Sequence, residues 1–77
     1  MAIIGATKAK ILHELSGQKM HGYLLAKQAG VPVTGIYQHL RQLRDEGLVD
    51  FELAGRRKMY FLTRRGRNLL EVISPAK

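Results

Sequence analysis

The fold is decided by the stretch VTGIYQHLRQLRDEGLVDFELAGRRKMYFL, at positions 33–62. In its first half, apolar residues recur at spacings of four and three, as on a helix with one buried face. The apolar positions with this spacing are Ile36, Leu40 and Leu43. We therefore predict a helix from Val33 to Glu46, ended by Gly47, because glycine accepts the left-handed conformation common just past a helix.

The second half of this stretch alternates instead of following a helical period. Val49, Phe51 and Leu53 are expected on one face of a half-buried strand, with acidic residues between them on the other face. The apolar and aromatic residues 59–62 predict a returning strand, and residues 54–58 predict the turn. This half is thus predicted to be a β-hairpin with a basic tip.

Two further helices are predicted before this stretch. The first covers residues 3–16 and is followed by Gly17, and the second covers residues 21–29 and ends at Gly30. Both are amphipathic. In the second, Gly22, Leu25, Ala26 and Ala29 share one face, so a close-packed pair of helices is expected. The order is that of a helix-turn-helix with a hairpin behind it.

One more helix is predicted after the hairpin. Thr63 can cap it, and it extends to about Ile73, with Pro75 ending it. We find no repeat, low-complexity segment or linker, so residues 1–77 are predicted to form a single α+β domain. The predicted architecture is a winged helix-turn-helix with three helices, a two-stranded β-hairpin wing and a C-terminal helix.

The distribution of charge indicates a polyanionic partner. The chain has 13 basic and 6 acidic residues, for a formal net charge of +7. Six basic residues, with no acidic residue among them, are Arg56, Arg57, Lys58, Arg64, Arg65 and Arg67. Such a cluster attracts nucleic acid. Alone, it is also compatible with a solvated surface or, at a hairpin tip, with protection against strand pairing.

The predicted third helix has a polar face suited to the major groove of DNA. That groove is about 12 Å wide and admits a helix, and arginine and glutamine can each bind a base through two hydrogen bonds. Basic side chains of the wing would meet phosphates of the neighbouring backbone or minor groove. The predicted DNA-binding residues are Thr34, Tyr37, Gln38 and Arg41 on the helix and Arg56, Arg57 and Lys58 on the wing.

Three segments resemble those of PadR-type transcriptional regulators. HGYLLAK at residues 21–27 is similar to their segment before the recognition helix, residues 35–49 resemble that helix, and residues 57–70 resemble their wing and return. The last two segments are also similar to those of ArsR- and MarR-like regulators. The resemblance, which covers residues 21–70, implies a repressor that binds double-stranded DNA as a homodimer through the residues given above.

The sequence departs from the PadR pattern after its last predicted helix. PadR-type proteins have a longer C-terminal helical part that dimerises and often helps to bind ligands, whereas this sequence ends at Lys77. We therefore expect dimer contacts on the terminal helices and no small-molecule effector. Short regulators of this kind are typical of archaea and of their viruses and plasmids.

The sequence has no catalytic or metal-binding pattern. It contains no cysteine, and its three histidines, His13, His21 and His39, do not have the spacing of a compact ligand set. It has no phosphate-binding glycine loop, nucleophile elbow or paired carboxylates. We predict a protein that is not an enzyme and has no cofactor or metal.

The sequence also has no apolar segment of the roughly 20 residues that a membrane span needs, and no apolar core of a signal peptide. We expect no contact with a membrane. The expected location is the cytoplasm, at the nucleoid or, for a viral protein, in the host.

Two other functions are compatible with the same fold. An architectural protein would share the basic wing but would coat DNA without choosing a sequence. A winged helix used for protein interaction would have an apolar or acidic recognition face, whereas this one is polar to basic. Binding to RNA is less favoured, because a helix cannot enter the deep, narrow major groove of an RNA duplex.

Overall fold

The structure, a computed structural model, describes residues 5–73. Its elements are α1 (Ala6–Leu15), β1 (Met20–His21), α2 (Gly22–Ala29), α3 (Val33–Asp45), β2 (Val49–Ala54), β3 (Arg57–Leu62) and α4 (Arg64–Ile73). This is the predicted order of a winged helix, with one strand added. The predicted start of the first helix at residue 3 and the predicted stop at Pro75 lie outside the described residues.

The helices and the inner part of the sheet enclose one apolar core. Its largest fully buried side chains are Ile11, Leu12, Leu25, Ile36, Leu40, Leu43 and Val49. They include the three apolar positions predicted for the buried face of α3. Tyr60 of β3 closes the core from the hairpin side and is only 6% exposed. Burial of each such side chain contributes about 1.5–3 kcal/mol, so α3 and the hairpin are held in place mainly by this core.

The sheet has three antiparallel strands, one more than predicted. Its order is β1-β3-β2, and Met20 and His21 of β1 pair with Tyr60 and Met59 of β3. A strand of two residues is too short to produce an alternating pattern, which explains why the sequence does not reveal it. Because α2 begins directly after β1, this pairing ties the start of α2 to the wing.

The outer half of the hairpin differs from the prediction. The turn consists only of Gly55 and Arg56, while Arg57 and Lys58, predicted to lie in the turn, belong to β3. Gly55 has a φ of +65°, which glycine adopts without a steric penalty. Leu53, expected on the same face of this half-buried strand as Val49 and Phe51, is 68% exposed, because the burial of β2 decreases towards the tip as the hairpin extends away from the helices.

Thr63 joins the end of α3 to the start of α4. Its Oγ1 accepts a hydrogen bond of 3.1 Å from the backbone N–H of Gly66 and donates one of 2.6 Å to the carbonyl oxygen of Gly47. The predicted cap of the last helix is thereby confirmed. Gly47 itself has a φ of +76°, and it ends α3 in the left-handed conformation predicted from the sequence.

Candidate nucleic-acid interface

The exposed face of α3 carries the predicted polar stripe. Thr34, Gln38 and Arg41 are all exposed, while Ile36, Leu40 and Leu43 of the same helix are buried. Within residues 5–73, their side chains make no hydrogen bond or ion pair with the rest of the chain. These three side chains are therefore available to an external partner.

A cleft, which we call the α2 cleft, lies between the start of α2, the middle of α3 and the wing. Its volume is about 470 Å³, and its lining residues are His21, Gly22, Tyr23, Tyr37, Arg56, Arg57 and Lys58. None of these residues is acidic. The N-terminus of α2 adds its partial positive charge, and three basic side chains of the wing stand opposite. The electrostatics of this cleft suit an anion such as a DNA phosphate.

His21 caps α2 at the wall of this cleft. Its Nδ1 accepts a hydrogen bond of 3.4 Å from the backbone N–H of Leu24, and its backbone is extended as it leaves β1. With Nδ1 engaged as the acceptor, Nε2 is the ring nitrogen that His21 can offer to a ligand.

A second cleft, the α3 cleft, lies between the C-terminal half of α3 and the wing. Its volume is about 340 Å³, and its lining residues are Tyr37, Leu40, Arg41, Arg44, Asp45, Phe51, Lys58 and Tyr60. Tyr37 and Lys58 line both clefts, so together they form the boundary between them. Arg41, which belongs to the polar stripe, also lines this second cleft.

The α3 cleft is closed at its base by a charged and aromatic cluster. Nε of Arg44 lies 3.0 Å from Oδ1 of Asp50, and the same oxygen accepts a hydrogen bond of 2.8 Å from the backbone N–H of Phe51. These two interactions, the backbone one first, hold the pKa of Asp50 below its usual value of 3.8. Burial raises the pKa of the neighbouring Tyr60 hydroxyl, with a smaller contribution from Tyr37. Asp50 therefore stays ionised, and Tyr60 neutral, at physiological pH.

The structure brings most of the predicted DNA-binding residues together. Tyr37, Arg56, Arg57 and Lys58 line the α2 cleft, and Arg41 joins Tyr37 and Lys58 in the α3 cleft. Thr34 and Gln38 lie on the exposed face of α3 and line neither cleft. The predicted set is thus grouped around α3 and the outer half of the wing.

The basic cluster seen in the sequence is divided by the fold. Arg65 of α4 lies against the turn after α3, with its Cδ 3.7 Å from the position that a Cβ on Gly47 would take. It lines a separate groove with Glu46 and Leu48. This arginine therefore belongs to a surface other than the two clefts.

Sequence reasoning missed His21, Arg44 and Phe51 as residues that shape the site. His21 has no signal as a cap, because serine, threonine, aspartate and asparagine are the usual choices. Arg44 and Phe51 meet only because the chain turns back after α3. Asp50, three positions after the glycine that ends the helix, is a hint in the sequence that a basic residue of that helix is held there.

Within residues 5–73, no group of three or more histidine, cysteine, aspartate or glutamate side chains could hold a metal ion. The helices of this part of the chain are also too short or too polar for any of them to cross a membrane.

A helix-turn-helix with an exposed polar recognition face and a basic hairpin wing is the DNA-binding domain of winged-helix regulators. The chain matches the model of the transcriptional regulator PadR-like family over residues 11–72. The protein therefore belongs to this family of transcriptional regulators.

Solved structures of MarR-family regulators share the fold. A MarR-family transcriptional regulator from Silicibacter pomeroyi superposes with a TM-score of 0.87 at 26% identity, over 94% of this chain and 51% of that one. Another, from Silicibacter pomeroyi DSS, gives a TM-score of 0.84 at 30% identity, over 90% of this chain and 48% of that one.

BpsR from Bordetella bronchiseptica, whose DNA binding is regulated by 6-hydroxynicotinic acid, gives a TM-score of 0.85 at 20% identity. That match covers 94% of this chain and 58% of BpsR. The chain thus spans about half the length of these structures. No curated protein matches it.

Proposed function

We propose that the protein is a sequence-specific repressor that binds double-stranded DNA as a homodimer, with α3 in the major groove and the wing on the adjacent backbone or minor groove. The observation that carries this proposal is the position of Arg41, which belongs both to the exposed polar stripe of α3 and to the α3 cleft. A duplex laid along the stripe therefore also meets the boundary of the two clefts, at Tyr37 and Lys58.

The stripe supplies the choice of sequence. Gln38 and Arg41 are exposed and spaced by three residues, so they project from one side of α3. Arginine binds O6 and N7 of guanine, and glutamine binds N6 and N7 of adenine, each through two hydrogen bonds. Thr34, one turn earlier, either hydrogen-bonds to a base through its hydroxyl or packs its methyl group against that of a thymine.

The α2 cleft supplies affinity that does not depend on sequence. Arg56, Arg57 and Lys58 line it together with Tyr37 and the first residues of α2. A phosphate in this cleft would receive hydrogen bonds from charged donors, which are about twice as strong as neutral ones. Contacts of this kind position the protein on the duplex but do not distinguish bases.

Each chain presents α3 as its recognition helix, so a homodimer would present two such helices to the DNA. Two-fold symmetry places the two recognition helices about 34 Å apart, on successive major grooves. The groove lined by Leu48, Leu69 and Val72 on the side of α4 supports a contact there, since Val72 is 66% exposed. Sedimentation equilibrium on the full chain tests the dimer, and a monomer at all concentrations would contradict it.

The function is tested by selection and binding. Duplexes that bind are selected from a random-sequence pool, and their affinities are compared with that of an unselected duplex by fluorescence anisotropy across a salt series. Selected duplexes that bind far more tightly than the unselected one support the proposal. Equal binding to all duplexes, lost steeply with salt, would indicate an architectural protein.

Absence of binding even at low salt would overturn the DNA-binding role and indicate a protein partner. Repression is tested separately, with a reporter gene placed behind a selected site. Lower expression in the presence of the protein supports a repressor, and higher expression would contradict it.

A further inference from the structure

We propose that Phe51 is a positioning residue for DNA binding, whose ring holds the Lys58 ammonium group at the boundary between the two clefts while leaving its charge available to a phosphate. This inference rests on the proposed function. Phe51 lies on β2 beneath the α3 cleft and is half buried, so its own ring is poorly placed to contact DNA.

The ring of Phe51 is fixed by two neighbours. It packs against Tyr60, its partner in the register of the sheet, with the ring centroids 5.5 Å apart. The guanidinium carbon of Arg44 lies 4.5 Å from the same centroid. Arg44 in turn donates a hydrogen bond to Asp50 of β2. The residue of the recognition helix that contacts the ring is therefore itself held by the strand that carries the ring.

Lys58 is the second cation that lies over this ring. Its Nζ lies 4.8 Å from the centroid of Phe51, and its side chain lines both clefts. Within residues 5–73, Lys58 has no acidic partner. Attraction to an aromatic face within about 6 Å orients an ammonium group without neutralising it.

Lys19 shows the opposite arrangement on the same sheet. Its Nζ lies 2.6 Å from a carboxylate oxygen of Glu52 and 5.7 Å from the ring centroid of Phe61. An ion pair of this kind satisfies the charge within the protein, so less of it acts on a phosphate. Within residues 5–73, Lys58 has the aromatic contact without an ion pair. Its charge is therefore oriented but not neutralised, and it can act on an external anion.

Holding Lys58 in place before DNA arrives favours binding. A lysine side chain has among the largest rotamer freedoms of all residues, and an ordered side chain loses less entropy when it meets a phosphate. Removing the ring should therefore weaken binding through Lys58, because the other cation over the ring, Arg44, is also held by Asp50. A merely structural role for Phe51 would not have this dependence.

The test is a double-mutant cycle measured with a labelled duplex of mixed sequence, about 30 base pairs long, across a salt series. Phe51→Leu is expected to weaken binding about two- to fivefold, the range for an exposed cation–π contact, and to flatten the salt dependence. Phe51→Tyr, which keeps the ring, is expected to bind as the wild type does. Phe61→Leu is the matched control, because it removes the aromatic partner of a lysine that already has an ion pair.

The decisive comparison is made in the Lys58→Met background, where Phe51→Leu is expected to cause no further loss. An equal loss in both backgrounds, or no loss in either, would overturn the proposal. Failure of the wild type to bind the duplex would instead overturn the proposed function itself.

If Phe51→Leu does not fold, the proposal can still be tested by a measurement on the wild type. The ε-methylene protons of Lys58 are expected to be shifted upfield by the ring in the NMR spectrum of the free protein, relative to those of the exposed Lys10. Equal chemical shifts for the two lysines would overturn the proposal.

Discussion

The ring of Tyr37 lies directly against the backbone of Gly22. A Cβ added to Gly22 would stand 2.5 Å from Cε1 of the ring and 2.6 Å from its hydroxyl oxygen. The first residue of α2 is therefore a glycine because a tyrosine of the recognition helix occupies the space of its side chain. This contact fixes α2 against α3 and holds the Tyr37 hydroxyl at the α2 cleft.

Gly22→Ala is expected to weaken DNA binding while leaving the fold intact. The Tyr37 side chain can turn away into solvent, since it is already 50% exposed, and alanine is a better helix former than glycine. The hydroxyl would then leave the α2 cleft. A hydrogen bond to a charged group is worth about 1.5–3 kcal/mol, so we expect a loss of roughly tenfold or more in affinity by fluorescence anisotropy.

The control for this variant is the same change in a Tyr37→Ala background. There the alanine at position 22 meets no ring, so it should have no further effect on affinity. If Gly22→Ala weakens binding equally in both backgrounds, the contact with Tyr37 is not the cause.

The helices and the hairpin could be predicted from the sequence because each has a local pattern. The spacing of Ile36, Leu40 and Leu43 gives α3, and the glycines after α2 and α3 give their ends. The extent to which the apolar face of the hairpin is buried could not be predicted, because alternation alone does not show how far a sheet extends beyond its core. Leu53 illustrates this, since it continues the pattern but lies in solvent.

The interior of the candidate site could not be predicted in the same way. The contacts of Phe51 with Arg44 and Lys58 join three elements of the chain, and β1 contributes only two residues to the sheet. Neither feature leaves a periodic signal in the sequence. The exposed residues of the stripe were easier to predict, because their exposure follows from the position of the buried face of the same helix.

Arg41→Ala is expected to relax the choice of base at one position of the binding site. Arginine at this place can bind guanine through two hydrogen bonds, so the preferred base pair should lose about 1–3 kcal/mol of its advantage. Affinities for a selected duplex and for its single-base variants measure this. Gln42→Ala, an exposed change on the same helix outside both clefts, should keep the preference. Equal weakening by Arg41→Ala on all duplexes would argue against a base contact.

Arg57→Ala is expected to weaken binding to all duplexes by a similar factor. Arg57 lines the α2 cleft, and loss of one phosphate contact lowers the slope of log affinity against log salt concentration by about 0.9. Arg67→Ala removes the same charge from an exposed position on α4 and is the matched control. If the two variants have the same salt slope, the effect comes from net charge and not from the cleft.

Asp50 is expected to contribute to stability at neutral pH and to lose that contribution in acid. Its pKa is lowered in the folded protein by the backbone N–H of Phe51 and by Arg44. The stabilisation is therefore complete above the usual pKa of 3.8 and disappears as the pH falls through the lower folded value. The difference in urea midpoint between wild type and Asp50→Asn should shrink over that range. Glu71→Gln, an exposed change on α4, serves as control, and a difference that grows in acid would contradict the assignment.

Gly66→Ala is expected to destabilise the fold more than any of the surface changes. Gly66 is buried in α4, and a Cβ there would overlap the carbonyl oxygen of Leu48 and press on a methyl group of Leu62. The backbone of Leu48 cannot move aside without disturbing the hydrogen bond of 3.1 Å that its oxygen accepts from the N–H of Thr63. We expect a loss of about 1–3 kcal/mol in the free energy of unfolding, the usual range for overpacking, measured by urea denaturation.

Gly35→Ala is the matched control for Gly66→Ala, because it makes the same change in a helix where a Cβ meets nothing within 4 Å. Alanine is more favourable than glycine in a helix by about 1 kcal/mol, so this variant should be more stable than the wild type. Opposite signs for the two variants would show that the close approach of α4 to Leu48, and not the helical preference of glycine, decides the result. A Gly66→Ala protein as stable as the wild type would mean that α4 can pack at a greater distance from the end of α3.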